Sequence, residues 1–136
     1  VKFKTLSGAT RGISNLKKHL IKWDKPSRSK FQFEVKSFLE PYWCNHVVFE
    51  EFPIPGTKLS IDLYNANKKI AIEVQGAQHT RYVPFFHGQY KNNYLNQLSR
   101  DNQKFEFCKI NNLKLVEVFP EDKVSINFFK KLDIDL

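Results

Sequence analysis

The stretch Ile61-Asp62-Leu63-Tyr64-Asn65-Ala66-Asn67-Lys68-Lys69-Ile70-Ala71-Ile72-Glu73-Val74-Gln75-Gly76 decides the fold. Its two ends are short runs rich in β-branched and aromatic residues, and the polar Asn65-Ala66-Asn67-Lys68 between them suits a turn. The pattern predicts a β-hairpin built from Leu59–Tyr64 and Lys69–Gln75. Strand side chains alternate faces, so Asp62 is opposite in sense to Ile61 and Leu63, while Glu73 and Gln75 are opposite to Ile70, Ile72 and Val74. Such a hairpin brings Asp62 and Glu73 to one side of a sheet. Two carboxylates so placed offer oxygen ligands to a hard divalent cation, commonly Mg²⁺. A metal held there can activate water and neutralise the charge that develops in phosphodiester hydrolysis. The plainer alternative is a pair of ordinary polar-face residues.

Working outward, Ser29 is placed to cap a helix running to about Pro41, with Phe31, Val35, Phe38 and Leu39 on one face. Val47–Phe52 reads as a strand stopped by Pro53, Pro55 and Gly56. Residues 76–91 read as irregular, and a second long helix is expected over about Asn93–Ile110, with Leu95, Leu98 and Phe105 as its stripe. Asn111-Asn112 ends it, Leu113–Phe119 is an apolar strand, and Glu121–Leu132 holds a last helix. The order α-β-β-β-α-β-α predicts an α/β fold, a small mixed β-sheet flanked by helices.

The formal charge of +8 is concentrated at one end. Residues 1–30 carry nine basic side chains and one acid, Asp24, whereas residues 31–136 carry 13 of each sign. Residues 1–28 are therefore expected to be a basic arm, with a short amphipathic helix over Ile13–Trp23, joined to a neutral body over 29–136. A basic arm points to nucleic acid before a membrane surface. The 136 residues suit one compact domain, and 13 Phe, five Tyr and two Trp supply its core. No apolar run approaches the roughly 18–20 residues of a membrane span. Cys44 and Cys108 cannot build a disulfide framework, which suits an intracellular setting. Cys44, His46, His79, His87 and Cys108 lack the paired spacing of a zinc site, so zinc is not expected.

Three further groups bear on the carboxylate pair. His79, just past the Glu73 strand, is positioned to act as a general base towards an attacking water. Glu34, between Phe31 and Phe38, and Asp101, between Leu98 and Phe105, each border the apolar stripe of a helix. An unpaired carboxylate is costly there, so each calls for a partner or for an escape to water.

Taken together, a Glu on a first helix, an Asp on a strand, a strand ending Glu73-Val74-Gln75-Gly76-x-x-His79, and Asp101-Asn102-Gln103-Lys104 leading into Leu113-Lys114-Leu115-Val116 resemble the PD-(D/E)XK nuclease superfamily. Within it, the pattern is similar to the very-short-patch-repair-like branch, which includes phage homing endonucleases and carries an E-D-x-H-D constellation. Glu34, Asp62, His79 and Asp101 match E, D, H and D, and Gln75 takes the variable position. The likeness covers about residues 27–119. It implies a restriction-endonuclease-like fold and Mg²⁺-dependent hydrolysis of double-stranded DNA, with Mn²⁺ able to substitute.

By that resemblance Asp62, Glu73 and the Val74 carbonyl hold the metal, His79 is the base, Asp101 orients it, and Glu34 holds a metal-bound water or second metal. Gln75 stands where the superfamily has lysine, which puts weight on His79 and on Lys104 as a source of positive charge. A plain Asp101–Lys104 ion pair is the alternative for that lysine. DNA contacts are expected from Lys2, Lys4, Arg11, Lys17, Lys18, Lys22, Arg28 and Lys30 in the arm, and from Arg81, Phe85 and Phe86 in an aromatic loop able to wedge base stacks. The zinc cluster of the mismatch branch is not visible, so a homing or phage-type endonuclease domain fits better than a mismatch-nicking enzyme. A non-catalytic DNA-binding module on the same fold and an RNA-processing nuclease remain alternatives. Double-strand cutting would call for a homodimer or successive nicks.

Overall fold

The computed structural model describes residues 2–13, 15–75, 100 and 102–136. Nine named elements are β1 (Lys2–Lys4), β2 (Thr10–Gly12), a 3₁₀ turn (Leu16–His19), α1 (Lys30–Trp43), β3 (Val48–Pro53), β4 (Ser60–Asn65), β5 (Ile70–Val74), β6 (Lys114–Val118) and α3 (Ile126–Lys131). A further helix over 102–110, α2, precedes β6.

The expected α/β architecture is present. Four strands form one mixed sheet in the order β3-β4-β5-β6, antiparallel except for the parallel β5–β6 pair. Parallel neighbours need a crossover, and α2 lies in that connection. Alternation then sorts the side chains. Leu63, Ile70, Ile72, Val116 and Val118 join Val35, Leu39 and Trp43 of α1 and Phe129 of α3 on one face. Phe49, Tyr64 and Ala71 join Phe107 and Cys108 of α2, with Phe3 of β1, on the other. Asp62, Glu73 and Glu117 share the α2 face by the same alternation.

Helix α1 starts where Ser29 predicts, its Oγ accepting the Gln32 N–H at 3.1 Å. It runs past Pro41 to Trp43, whose side chain is fully buried in the core and rewards the extra residues. Gln32 and Lys36 lie on its buried side, where they meet Glu50. Strand β3 is bent at Glu51, whose φ of 53° breaks the alternation. Glu50 and Glu51 therefore both reach Gln32, and Phe52 joins Phe49 on the opposite face.

The leader, expected as a basic arm, packs on the sheet. Phe3 is buried, with ring centroids 5.4 Å from Phe52 and 5.9 Å from Phe107. Asn111 at the end of α2 clasps β1 by accepting the Lys4 N–H and donating to the Lys4 carbonyl. The amphipathic helix over Ile13–Trp23 is replaced by the short 3₁₀ turn and an extended run. Leu20 bridges Phe49, and the Ile21 N–H donates to the Val48 carbonyl at 3.0 Å. The physical reason is β3, an edge strand whose open backbone groups recruit the passing chain. Ile13 and Leu16 then pack on one face of the sheet, Ile21 and Trp23 on the other.

Candidate active site

The β4–β5 register sets Leu63 against Ile72, which leaves Asp62 facing Glu73 one step further on. The Val74 N–H donates to Asp62 Oδ2 at 2.8 Å, and the Asp62 N–H donates to Glu73 Oε2 at 3.3 Å. Both side chains are buried, Asp62 at 6% and Glu73 at 4% exposure. Two carboxylates cannot both hold charge cheaply in such a place. Burial, then the Asp62 charge and a hydrogen bond to it, push the Glu73 carboxyl up to about 8, against the opposing pull of Lys104.

Lys104, on α2, brings its Nζ to 2.5 Å from Glu73 Oε1. The lysine thus engages the carboxylate pair through Glu73, whereas the sequence alone offered Asp101 as its plain partner. Gln75 follows β5, its N–H donating to the Val118 carbonyl and its Nε2 donating to Glu117 Oε2 at 3.0 Å. Glu117 faces Glu73 across the parallel pair. Glu73, Gln75, Lys104, Leu115 and Glu117 line a hollow of about 10 Å³. Glu117 escaped the sequence reading. Its only signal is alternation in Lys114-Leu115-Val116-Glu117-Val118, which places it on the Leu115 face once β6 is set beside β5.

Glu34 is not brought to this pair. The buried side of α1 is carried by Gln32, Val35, Lys36, Leu39 and Trp43, and Glu34 is exposed beside Ser29, Lys30 and Phe33. Of the expected DNA contacts, Lys2, Lys4, Arg11, Lys17, Lys18, Lys22, Arg28 and Lys30 are all exposed. His79, Asp101, Arg81, Phe85 and Phe86 lie outside the described residues, as does His87.

The donor set suits a hard cation. A proton on Glu73 and the Lys104 ammonium offset charge where a divalent ion would otherwise do so, and both carboxylates supply oxygens. Among the described residues no three His, Cys, Asp or Glu side chains gather into a metal-holding group. Two protein carboxylates with water completing the shell is the arrangement Mg²⁺ commonly accepts.

Linkage gives a first expected result. The unfolded chain releases the Glu73 proton near 4.5 and the folded protein only near 8, so the stabilising contribution is full below 4.5 and lost as pH rises through 8. Thermal melts in EDTA from pH 5 to 8 should show Glu73→Gln gaining on the parent protein by up to about 1.4 kcal/mol per pH unit. A constant gap would place the proton elsewhere.

Three viral proteins resemble this chain. Uncharacterized protein 033L of Invertebrate iridescent virus 3 is 33% identical over 99 residues, covering 69% of this chain and 50% of its own length. Uncharacterized protein 307L of Invertebrate iridescent virus 6 is 42% identical over 60 residues, covering 44% of this chain and 30% of its own length. Uncharacterized protein 094L of Frog virus 3 (isolate Goorha) is 39% identical over 66 residues, covering 48% and 43%. The chain thus spans half or less of the length of these relatives. No family model matches it, and no solved structure does. Among the described residues no helix is long and apolar enough to cross a membrane.

Proposed function

We propose that this chain is a metal-dependent endonuclease domain that hydrolyses phosphodiester bonds of double-stranded DNA, as the catalytic part of a homing or phage-type enzyme. The observation that supports it most is the buried Asp62–Glu73 pair on adjoining strands with Lys104 drawn onto Glu73. In this reading Asp62, Glu73 and the Val74 carbonyl hold Mg²⁺ or Mn²⁺. When bound, the ion supplies a Lewis acid and a water of lowered pKa.

The chain's own residues do the rest. As a ligand Glu73 would be the deprotonated carboxylate, its proton released to water, and Lys104 beside it would lend positive charge towards the scissile phosphate. That charge is what Gln75 cannot supply. Gln75 instead holds Glu117 beside the site. The family resemblance assigns water deprotonation to His79 and the orientation of its imidazole to Asp101. Two copies acting together would cut both strands. The viral origin of the relatives supports action inside an infected cell.

One observation favours a second reading. Gln75, standing where the resemblance has lysine, is engaged with Glu117 instead, as in a module that kept the fold for binding alone. Nicking of supercoiled plasmid in Mg²⁺ against EDTA separates the two. Metal-dependent relaxation supports the enzyme, and binding without nicking supports the module.

A further inference from the structure

The leader's charge is held in a fixed place. Lys18 comes from the 3₁₀ turn, Lys22 and Lys25 from the run that follows it, and Arg28 from the approach to α1. These four rim a groove of about 460 Å³ that also contains Glu50 and Glu51 of β3. Both acids are already engaged. Glu50 accepts from Lys36, Ser27 and Gln32, while Glu51 accepts from Arg28, Gln32 and Ser60. Lys18, Lys22 and Lys25 are exposed, and no ion pair engages them among the described residues. Like charges gathered on one rim repel until an anion is shared between them.

The backbone under these lysines is pinned at both ends. The Ile21 N–H bonds the Val48 carbonyl, and the fully buried Lys36 donates to the Lys25 carbonyl at 2.7 Å. Past Arg28 the concavity continues to Lys30.

We propose that this groove is a preformed seat for the phosphate backbone of duplex DNA, with Lys18, Lys22 and Lys25 making sequence-independent phosphate contacts. The choice of duplex DNA rests on the endonuclease reading; the anion seat rests on the groove itself. A pinned rim loses less freedom on binding than a loose arm would. A membrane surface fits poorly, because Ile21 and Trp23 are packed on the core and, among the described residues of the leader, only Leu20 is a large exposed apolar side chain. A single strand fits poorly too, because among the described residues the aromatic rings lining the groove and its continuation are only His19 and Phe33, too few for a run of stacked bases.

The test is fluorescence anisotropy of a labelled short duplex in EDTA, which removes cleavage from the measurement. Lys18→Glu, Lys22→Glu and Lys25→Glu are combined in one full-length variant. A second variant combines Lys123→Glu, Lys130→Glu and Lys131→Glu, an equal charge change at exposed positions near and on α3. The groove variant should bind at least about 10-fold more weakly at the same salt, with a salt slope shallower by about 3, while the α3 variant keeps the parent slope. Glutamine at the same three groove positions should lose affinity in the same direction without adding repulsion. Equal losses in both charge-reversed variants, or none in the groove variant, would overturn the proposal. An RNA duplex that displaces the label better than DNA would overturn the choice of occupant. If the parent fails to nick plasmid in Mg²⁺ but the groove variants still lose the duplex, the seat stands and the catalytic reading falls.

Discussion

Asp62→Asn is expected to bring Mg²⁺-dependent nicking to background while leaving duplex binding in EDTA close to that of the parent protein. Asparagine keeps the size of the side chain, and its carbonyl oxygen can still accept the Val74 N–H that Asp62 Oδ2 accepts at 2.8 Å. What it removes is the charge. With Asp62 neutral, Glu73 remains as one carboxylate already paired to Lys104, a poor seat for a divalent ion. Loss of binding together with loss of nicking would point to a misfolded variant, which a melting curve detects. Unchanged nicking would remove Asp62 from the chemistry.

The second large effect concerns stability. Phe3→Ala should cost about 3 kcal/mol, towards the lower end for a buried phenylalanine because the residue keeps 8% exposure. The ring packs against Phe52, Tyr64 and Phe107, so the lost contacts reach β3, β4 and α2 together. Urea unfolding with an unchanged slope and a lowered midpoint is the expected readout. A change below about 0.5 kcal/mol, the usual range for surface positions, would mean that the leader hangs free. Cutting away residues 1–26 is for the same reason a poor test of DNA binding, since it removes core as well as charge.

Much of the sheet is legible because its signals are local. A polar turn between two alternating runs specifies the β4–β5 hairpin, and a period of two then fixes Asp62 and Glu73 on one side without further information. Ser29 is also readable as a cap, since a cap depends on residues within one turn; the last helix, expected over Glu121–Leu132, is shorter, Ile126–Lys131, because Ser125 caps it.

What the sequence hides depends on distant partners. Glu117 joins the site only through the parallel β5–β6 pairing, and no local rule sets that register. Lys104 sits one turn from Asp101 in sequence, yet its charge is drawn to a carboxyl on a strand roughly thirty residues earlier. Ile13, Leu16, Leu20 and Trp23 recur at helical spacing, but the open edge of β3 offers the backbone hydrogen bonds that a helix would otherwise supply. The resemblance assigns Glu34 to the site, while its place between Phe31 and Phe38 calls only for a partner or an escape to water. The α1 face that actually packs is turned towards Gln32 and Lys36, whose polar groups are satisfied by Glu50. A buried lysine on a helix face is hard to foresee, because its partner must be known before its burial makes sense.

The basic leader, which composition alone presents as a tail, is therefore part of the folded body. Its apolar side chains complete both faces of the sheet, and Lys18, Lys22 and Lys25 are left on the rim of a groove.

In the proposed function Asp62 and Glu73 form a divalent-metal centre. Electron paramagnetic resonance of Mn²⁺ titrated into the full chain tests it without requiring turnover. Because the ion must displace the Glu73 proton, held up to about 8, affinity should rise about 10-fold per pH unit between pH 5 and 8 and level off above. Asp62→Asn should abolish that binding at every pH. Absence of bound Mn²⁺ in the parent protein at pH 8, or equal binding by Asp62→Asn, would contradict the account.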